Sequence, residues 1–198
     1  MKQSTKRMLK RTGDDSRRDI LAAAYDVFAE RGYAGAAMRD VASRAGISVG
    51  GIYIYFQTKE ELYLALLRSE MEDFSSHIER VVDMEPAQAL KALIDSYLDY
   101  AVRKTKLVSL HLKEHDLEIR KPLKELFLGS QYKIIRGILQ DGMDNGVFKK
   151  MEIDRAAPVL FSCVRGLVLS YLSEGQAVGS QSETLYEILL HGIMEKTV

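Results

Sequence analysis

Apolar residues recur at spacings of three and four along almost the whole chain, a period that fits helices each burying one face and leaves no convincing strand. The first stripe, Ile20, Ala24, Val27 and Phe28, predicts a helix over about 16–31, capped by Asp15 or Ser16 and ended by Gly32. Met38, Val41, Ala42 and Ala45 mark a shorter helix that Gly46 stops. Ser48 is placed to cap a third, about 49–55, from which Ile52 and Phe56 return to the core. Thr58 to Glu61 has the spacing of a capping box and opens a long helix carrying Leu62, Leu66, Phe74, Ile78 and Val81.

The pattern breaks at Met84-Glu85-Pro86 and resumes with Pro86 in the first turn of a helix whose stripe is Leu90, Leu93, Ile94 and Tyr97. Helices are expected over about 107–117 and 122–145, the second ending at Asn145-Gly146. From 154 to about 173 the chain is apolar nearly all round (Val159, Leu160, Phe161, Val164, Leu167, Val168, Leu172), and a helix without a polar face has to be covered on every side. A flexible joint, 174–182, leads to a last helix over about 183–195 with Leu185, Ile188, Leu189 and Ile193 on one face. The expected fold class is all-α.

Composition narrows the reading. The chain has 198 residues, 46% of them hydrophobic, enough to fill a real core. The single cysteine, Cys163, forms no disulfide within one chain and suits a reducing compartment. The apolar stretch from Val159 to Leu172 is interrupted by Ser162, Arg165 and Ser170 and is not expected to span a membrane; no signal peptide is expected at the basic N-terminus, and the cytoplasm is the default location. The formal net charge of zero conceals a division: residues 1–58 carry ten basic and six acidic side chains, so a +4 front is joined to a −4 back. That asymmetry points the N-terminal part at nucleic acid.

Two short helices joined at a glycine, buried on one side and basic at the rim, outline a helix-turn-helix. The run from Ile20 through Leu62 goes further. Ala24 and Phe28, Gly32-Tyr33, Met38-Arg39-Asp40-Val41-Ala42, Ala45-Gly46-Ile47-Ser48, Gly50, Tyr53, Phe56 and Lys59-Glu60-Glu61-Leu62 together resemble the N-terminal domain of the TetR family of bacterial transcriptional regulators. The resemblance implies a basic flexible tail at 1–15, a three-helix DNA-binding domain at 16–62 with its helix-turn-helix at about 37–56, and a larger helical effector-binding and dimerisation domain at 63–198.

The residues read the same way. A recognition helix enters the major groove by its N-terminal end, where backbone and short side chains approach bases and phosphates without collision. Gly50 and Gly51 permit that approach; Tyr53 and Tyr55 offer hydroxyls, and Lys59 a charge, to phosphate oxygens; Arg39 reaches a phosphate or a guanine edge; Ser48 and Val49 are left to read bases. Tyr53 and Tyr55 cannot share a helix face, and Tyr53 is expected to be partly buried and Tyr55 exposed. Two departures from the family pattern stand out: Ala36-Ala37 where a capping hydroxyl is usual, and Gly51 where threonine is common.

For the rest of the chain the resemblance implies a homodimer through the last two helices and a site for a small, apolar or aromatic effector, with Phe74, Tyr97, Leu110, Tyr132 and Cys163 as candidate lining that is as readily plain core. It implies a repressor whose effector shifts the spacing of the two recognition helices, through a pendulum movement of the fourth helix, away from successive major grooves about 34 to 36 Å apart. The alternative is a helical protein that binds DNA or a partner constitutively. His111 and His115 sit at i, i+4 without a third ligand, a pattern of an exposed polar face, so neither metal nor cofactor is expected. No glycine-rich phosphate loop, HExxH, GxSxG or CxxC accompanies them, which argues against an enzyme.

Overall fold

The computed structural model describes residues 13–78, 81, 83–113, 118–174 and 178–194. Among these every extended element is a helix: α1 (Gly13–Gly35), α2 (Met38–Arg44), α3 (Val49–Tyr55), α4 (Lys59–Ile78), α5 (Pro86–Arg103), α6 (Thr105–Lys113), α7 (Lys121–Asp144), α8 (Ile153–Glu174) and α9 (Val178–Ile193). A 3-10 turn at Glu118–Arg120 precedes α7, and a single antiparallel bridge joins Phe148 to Met194. The chain divides into two compact units, Met1–Leu67 and Arg68–Val198.

In the first unit, Ile20, Ala24, Val27 and Phe28 of α1 pack with Met38, Val41, Ala42, Ile52, Phe56, Leu62, Tyr63 and Leu66, all buried. Gly32 sits at φ 71°, ψ 173°, a conformation open essentially to glycine alone, so α1 kinks there and closes with one further turn to Gly35. Gly46 at φ 68° ends α2: its N–H donates to the Ser43 carbonyl at 3.2 Å while the Ile47 N–H reaches back to Ala42 at 3.0 Å, which satisfies two carbonyls the helix would otherwise leave bare.

In the second unit, one apolar cluster joins Phe74 and Ile78 of α4, Leu90, Leu93, Ile94 and Tyr97 of α5, Ile135, Ile138 and Leu139 of α7, and Leu160, Phe161, Val164 and Val168 of α8. One expectation about the end of the chain is corrected. α9 begins at Val178, so most of the joint expected at 174–182 that is described is helix; Ser182, buried, belongs to it. α8, expected to pack with α9 against a second copy, has its inner stripe in the core and leaves Val159 61% exposed and Leu169 facing outward. This helix, over Ile153–Ser173, has a mean hydropathy of 1.5 and is long and apolar enough to cross a membrane, contrary to the sequence reading. The three polar interruptions do not offset the valine, leucine and phenylalanine around them when the whole window is averaged, and the buried inner stripe is that of a bundle helix.

Candidate functional site

The recognition helix is α3, and its local structure follows from the residues at its start. The Ser48 Oγ accepts from the Gly51 N–H at 3.0 Å, supplying the N-cap expected of it. Ile52 and Phe56 are fully buried and anchor the helix from beneath, leaving Val49, Gly50, Tyr53 and Ile54 on the outer face. Here the two tyrosines exchange their expected roles: Tyr53 is 44% exposed, whereas Tyr55 is half-buried. With Ile52 pointing inward, the residue after it turns outward by 100° and the third comes partly back, so Tyr53 and not Tyr55 stands clear.

The two glycines differ. A β-carbon at Gly50 would meet nothing within 4 Å, while one at Gly51 would lie 3.2 Å from the capping Ser48 Oγ. Nothing in the fold therefore demands glycine at 50. At Gly51 a side chain would crowd the hydroxyl that caps the helix.

α2 lacks a side-chain cap at Ala37, as Ala36-Ala37 implied. Its substitute is electrostatic. Asp40 in its first turn faces the positive end of the helix and accepts from Arg31 of α1 at 2.7 Å. At its other end Arg44 makes a two-pronged pair with Glu30, at 3.1 and 2.8 Å, and lies 3.5 Å from Asp26. The Glu30 carboxylate, and then Asp26, raise the pKa of the Arg44 guanidinium above its ordinary value. These pairs tie both ends of α2 to α1. Arg39 is 79% exposed in its side chain, with Asp40 at 4.0 Å, and is the cation of α2 that faces outward.

Lys59 has a use the sequence did not reveal. Its ammonium donates to the carbonyls of Tyr33 at 2.7 Å, Ala36 at 3.0 Å and Ala34 at 3.4 Å, and lies 4.6 Å from the centre of the Tyr33 ring. The charge expected for the DNA backbone thus closes the bare carbonyl end of α1. Thr58 completes half of the expected capping box, its Oγ1 accepting from the Glu61 N–H at 3.0 Å; the Glu61 carboxylate accepts from Gln57 N–H at 2.7 Å, one residue before the cap. Of the basic tail, residues 1–12 lie outside the described residues; Arg17 belongs to α1 and stacks 5.2 Å from the Phe56 ring centre.

Three of the five candidate effector residues come together. Phe74 packs against Tyr97 at 5.0 Å, Tyr97 against Phe161 at 5.7 Å, and Phe161 against Tyr132 at 5.7 Å between ring centres; Tyr100 and Phe127 flank Phe74 at 4.8 and 5.9 Å. Leu110 is buried on α6 but stands apart from this cluster, and Cys163, expected to be buried, is half-buried on the flank of α8 away from the core stripe. The side chain of His111 and the whole of His115 lie outside the described residues. Missed by the sequence reading was Gln131, wholly buried among the rings with its Oε1 accepting from the Tyr97 hydroxyl. Its signal was a polar residue on the apolar stripe of α7, four residues before Ile135. Burial pushes the Tyr97 hydroxyl pKa far up, so it stays a proton donor.

A family model described as bacterial regulatory proteins of the TetR family matches residues 20–66. The HTH-type transcriptional repressor NicS of Pseudomonas putida is 30% identical over 69% of this chain and 67% of its own length. The fatty acid metabolism regulator protein of Bacillus subtilis is 26% identical over 89% of this chain and 95% of its own. A crystal structure of the transcriptional regulator FadR from Bacillus subtilis in complex with stearoyl-CoA superposes with a TM-score of 0.78 at 25% identity, covering 89% of this chain and 98% of that one.

Proposed function

The chain belongs to the TetR family of bacterial regulatory proteins, and from that premise we propose that it is a homodimeric repressor released from its operator by a long-chain acyl effector. It is a ligand-responsive, DNA-binding transcriptional regulator of the cytoplasm. The observation that carries the DNA half of the reading is the outer face of α3, where a capped helix presents Val49, the bare backbone of Gly50 and the Tyr53 hydroxyl beside the outward Arg39 of α2. On that face Ser48, Val49 and the glycines read base edges, while Arg39 and Tyr53, with Tyr55 at the margin, hold phosphates. Lys59 acts first by fixing the α1–α2 connection and so the pose of both helices.

The acyl effector is supported by full-length likeness to a fatty acid metabolism regulator and to a stearoyl-CoA complex, and by a core that lines aromatic rings in a row from α4 to α8. The dimer is supported by the uncovered outer stripe of α8, with Val159 and Leu169, and by Ile188 of α9, 63% exposed. A second copy of the chain packing these two helices against their own equivalents would bury both.

The test is fluorescence anisotropy of the full chain on DNA from upstream of its own gene, with and without stearoyl-CoA. Expected are operator binding that steepens as salt falls, and a Kd raised roughly 5- to 150-fold by the acyl thioester. Binding unaffected by acyl-CoA removes the effector class; no specific binding removes the regulator.

A further inference from the structure

Gln131 is the polar exception of the second unit's core. It is 0% exposed and bonded to Tyr97, whose ring packs on Phe161 at 5.7 Å, as does that of the next residue, Tyr132. Its amide orientation is fixed by a directed chain of hydrogen bonds. The Tyr97 O–H donates to Oε1; Nε2 donates to the Ser130 Oγ at 3.0 Å; the Ser130 O–H donates to the Phe127 carbonyl at 2.7 Å. With Oε1 accepting from the Tyr97 hydroxyl, the NH₂ group faces away from it, toward Ser130.

A primary amide has two N–H donors and two acceptor lone pairs. One of each is used, so one N–H and one lone pair have no protein partner among the described residues. Groups buried in this way are ordinarily paired, and an N–H left over among aromatic rings is the feature of a site that takes an oxygen acceptor from outside the chain. The apolar row around it takes a hydrocarbon chain. An acyl ligand has both parts in one molecule.

We infer that the spare Nε2 proton of Gln131 is the hydrogen-bond donor to the carbonyl oxygen of an acyl effector whose chain lies along the rings of Phe74, Tyr97, Phe161 and Tyr132. Gln131 thereby distinguishes an acyl group from a plain alkyl chain of the same length, since only the first leaves no lone donor behind. The inference rests on the acyl-effector reading above and names the group that recognises it.

The experiment compares stearoyl-CoA with octadecyl-CoA, the thioether in which the carbonyl is replaced by a methylene, by isothermal titration of the full chain. The native protein is expected to bind the thioester about 10- to 100-fold more tightly. Gln131→Met, similar in volume, is expected to bring that ratio near one, chiefly by weakening the thioester. Tyr97→Phe, which removes the hydroxyl that orients the Gln131 amide, is expected to lower the preference while thioether binding persists, and serves where Gln131→Met does not fold; an undiminished preference there counts against the anchor. Equal affinity of the native protein for the two ligands overturns the anchor, as does a preference that survives Gln131→Met, the result expected if a buried water satisfies the amide. Binding of neither ligand overturns the acyl effector itself, and the anchor with it.

Discussion

The Lys59 ammonium lies 2.7 Å from the carbonyl oxygen of Tyr33 and 4.6 Å from the centre of the same residue's ring. One side chain at the first turn of α4 therefore holds the last turn of α1, past the kink at Gly32, through three carbonyls and a ring face. Tyr33 and Phe28 in turn pack on Tyr63, a turn further along α4, with Tyr63 4.9 Å from each of them. A shift of α4 at this point has to carry the α1–α2 connection with it. That contact links the long helix to the pose of the helix-turn-helix.

Lys59→Met keeps the aliphatic stem and removes the ammonium. Unfolding in urea is expected to show a loss of about 1–3 kcal/mol, the size of charge-assisted bonds to buried or half-buried carbonyls left unmade. Lys59→Arg should recover only part, because a planar guanidinium cannot converge on three carbonyls as an ammonium does. A native urea midpoint combined with weakened operator binding would instead assign Lys59 to the DNA phosphates.

Arg39 and Tyr53 face outward on neighbouring helices but differ in how salt should report them. Removing a cation that neutralises a phosphate lowers the slope of log K against log salt by about 0.9. Removing a neutral hydroxyl costs affinity and leaves the slope unchanged. Arg39→Ala is expected to do the first, and Tyr53→Phe the second, with a loss of about 2- to 10-fold for one hydrogen bond of roughly 0.5–1.5 kcal/mol. Tyr55→Phe should matter less, given its half-buried place. An unchanged slope in Arg39→Ala together with a loss confined to one operator base would move Arg39 from phosphate to base reading.

Gly50 and Gly51 separate fold from function. Because a β-carbon at position 50 meets nothing within 4 Å, Gly50→Ala is expected to stabilise the first unit, by about 0.5–1 kcal/mol, while weakening the operator complex. At position 51 the added carbon presses on the Ser48 Oγ 3.2 Å away, so the gain in Gly51→Ala should be smaller or absent. Calorimetry and anisotropy on the same two variants decide it. A stabilised Gly50→Ala with native operator affinity would show that glycine gives no clearance there.

What was legible in the sequence was whatever depends on neighbours along the chain. Ser48 capping α3, Gly46 ending α2 and Pro86 opening α5 are local chemistry, and all stand where the residues put them. The recurrence of Leu90, Leu93, Ile94 and Tyr97 gave the buried face of α5 for the same reason. Illegible were contacts between residues far apart. Lys59 meets a carbonyl 26 positions earlier, Tyr97 a glutamine 34 positions later, and neither leaves a periodic trace. The exchange of Tyr53 and Tyr55 has another cause: seven residues of α3 make two turns, too few for the pattern alone to fix which side rolls toward the core.

Gly142 makes the last case, one of close approach. A β-carbon there would stand 2.0 Å from Cδ2 and 2.4 Å from Cε2 of Phe148, whose ring is buried. The ring lies on the bare helix backbone because the chain turns back sharply: the N–H groups of Val147 and Phe148 both donate to the Gly142 carbonyl at 2.8 Å. From this fold-back the Lys149 N–H reaches the Ile193 carbonyl at 2.8 Å and pins the end of α9. Gly142→Ala forces the ring out of its place and strains that attachment. The expected cost is about 1–3 kcal/mol for overpacking, a fall in Tm of very roughly 2–12 °C for a chain of this size. Phe148→Leu should be destabilising alone yet milder in the Gly142→Ala background, because the smaller side chain vacates the space the new methyl needs. A double-mutant cycle measures that coupling. Additive losses would show that the ring and the helix backbone do not compete for the same volume.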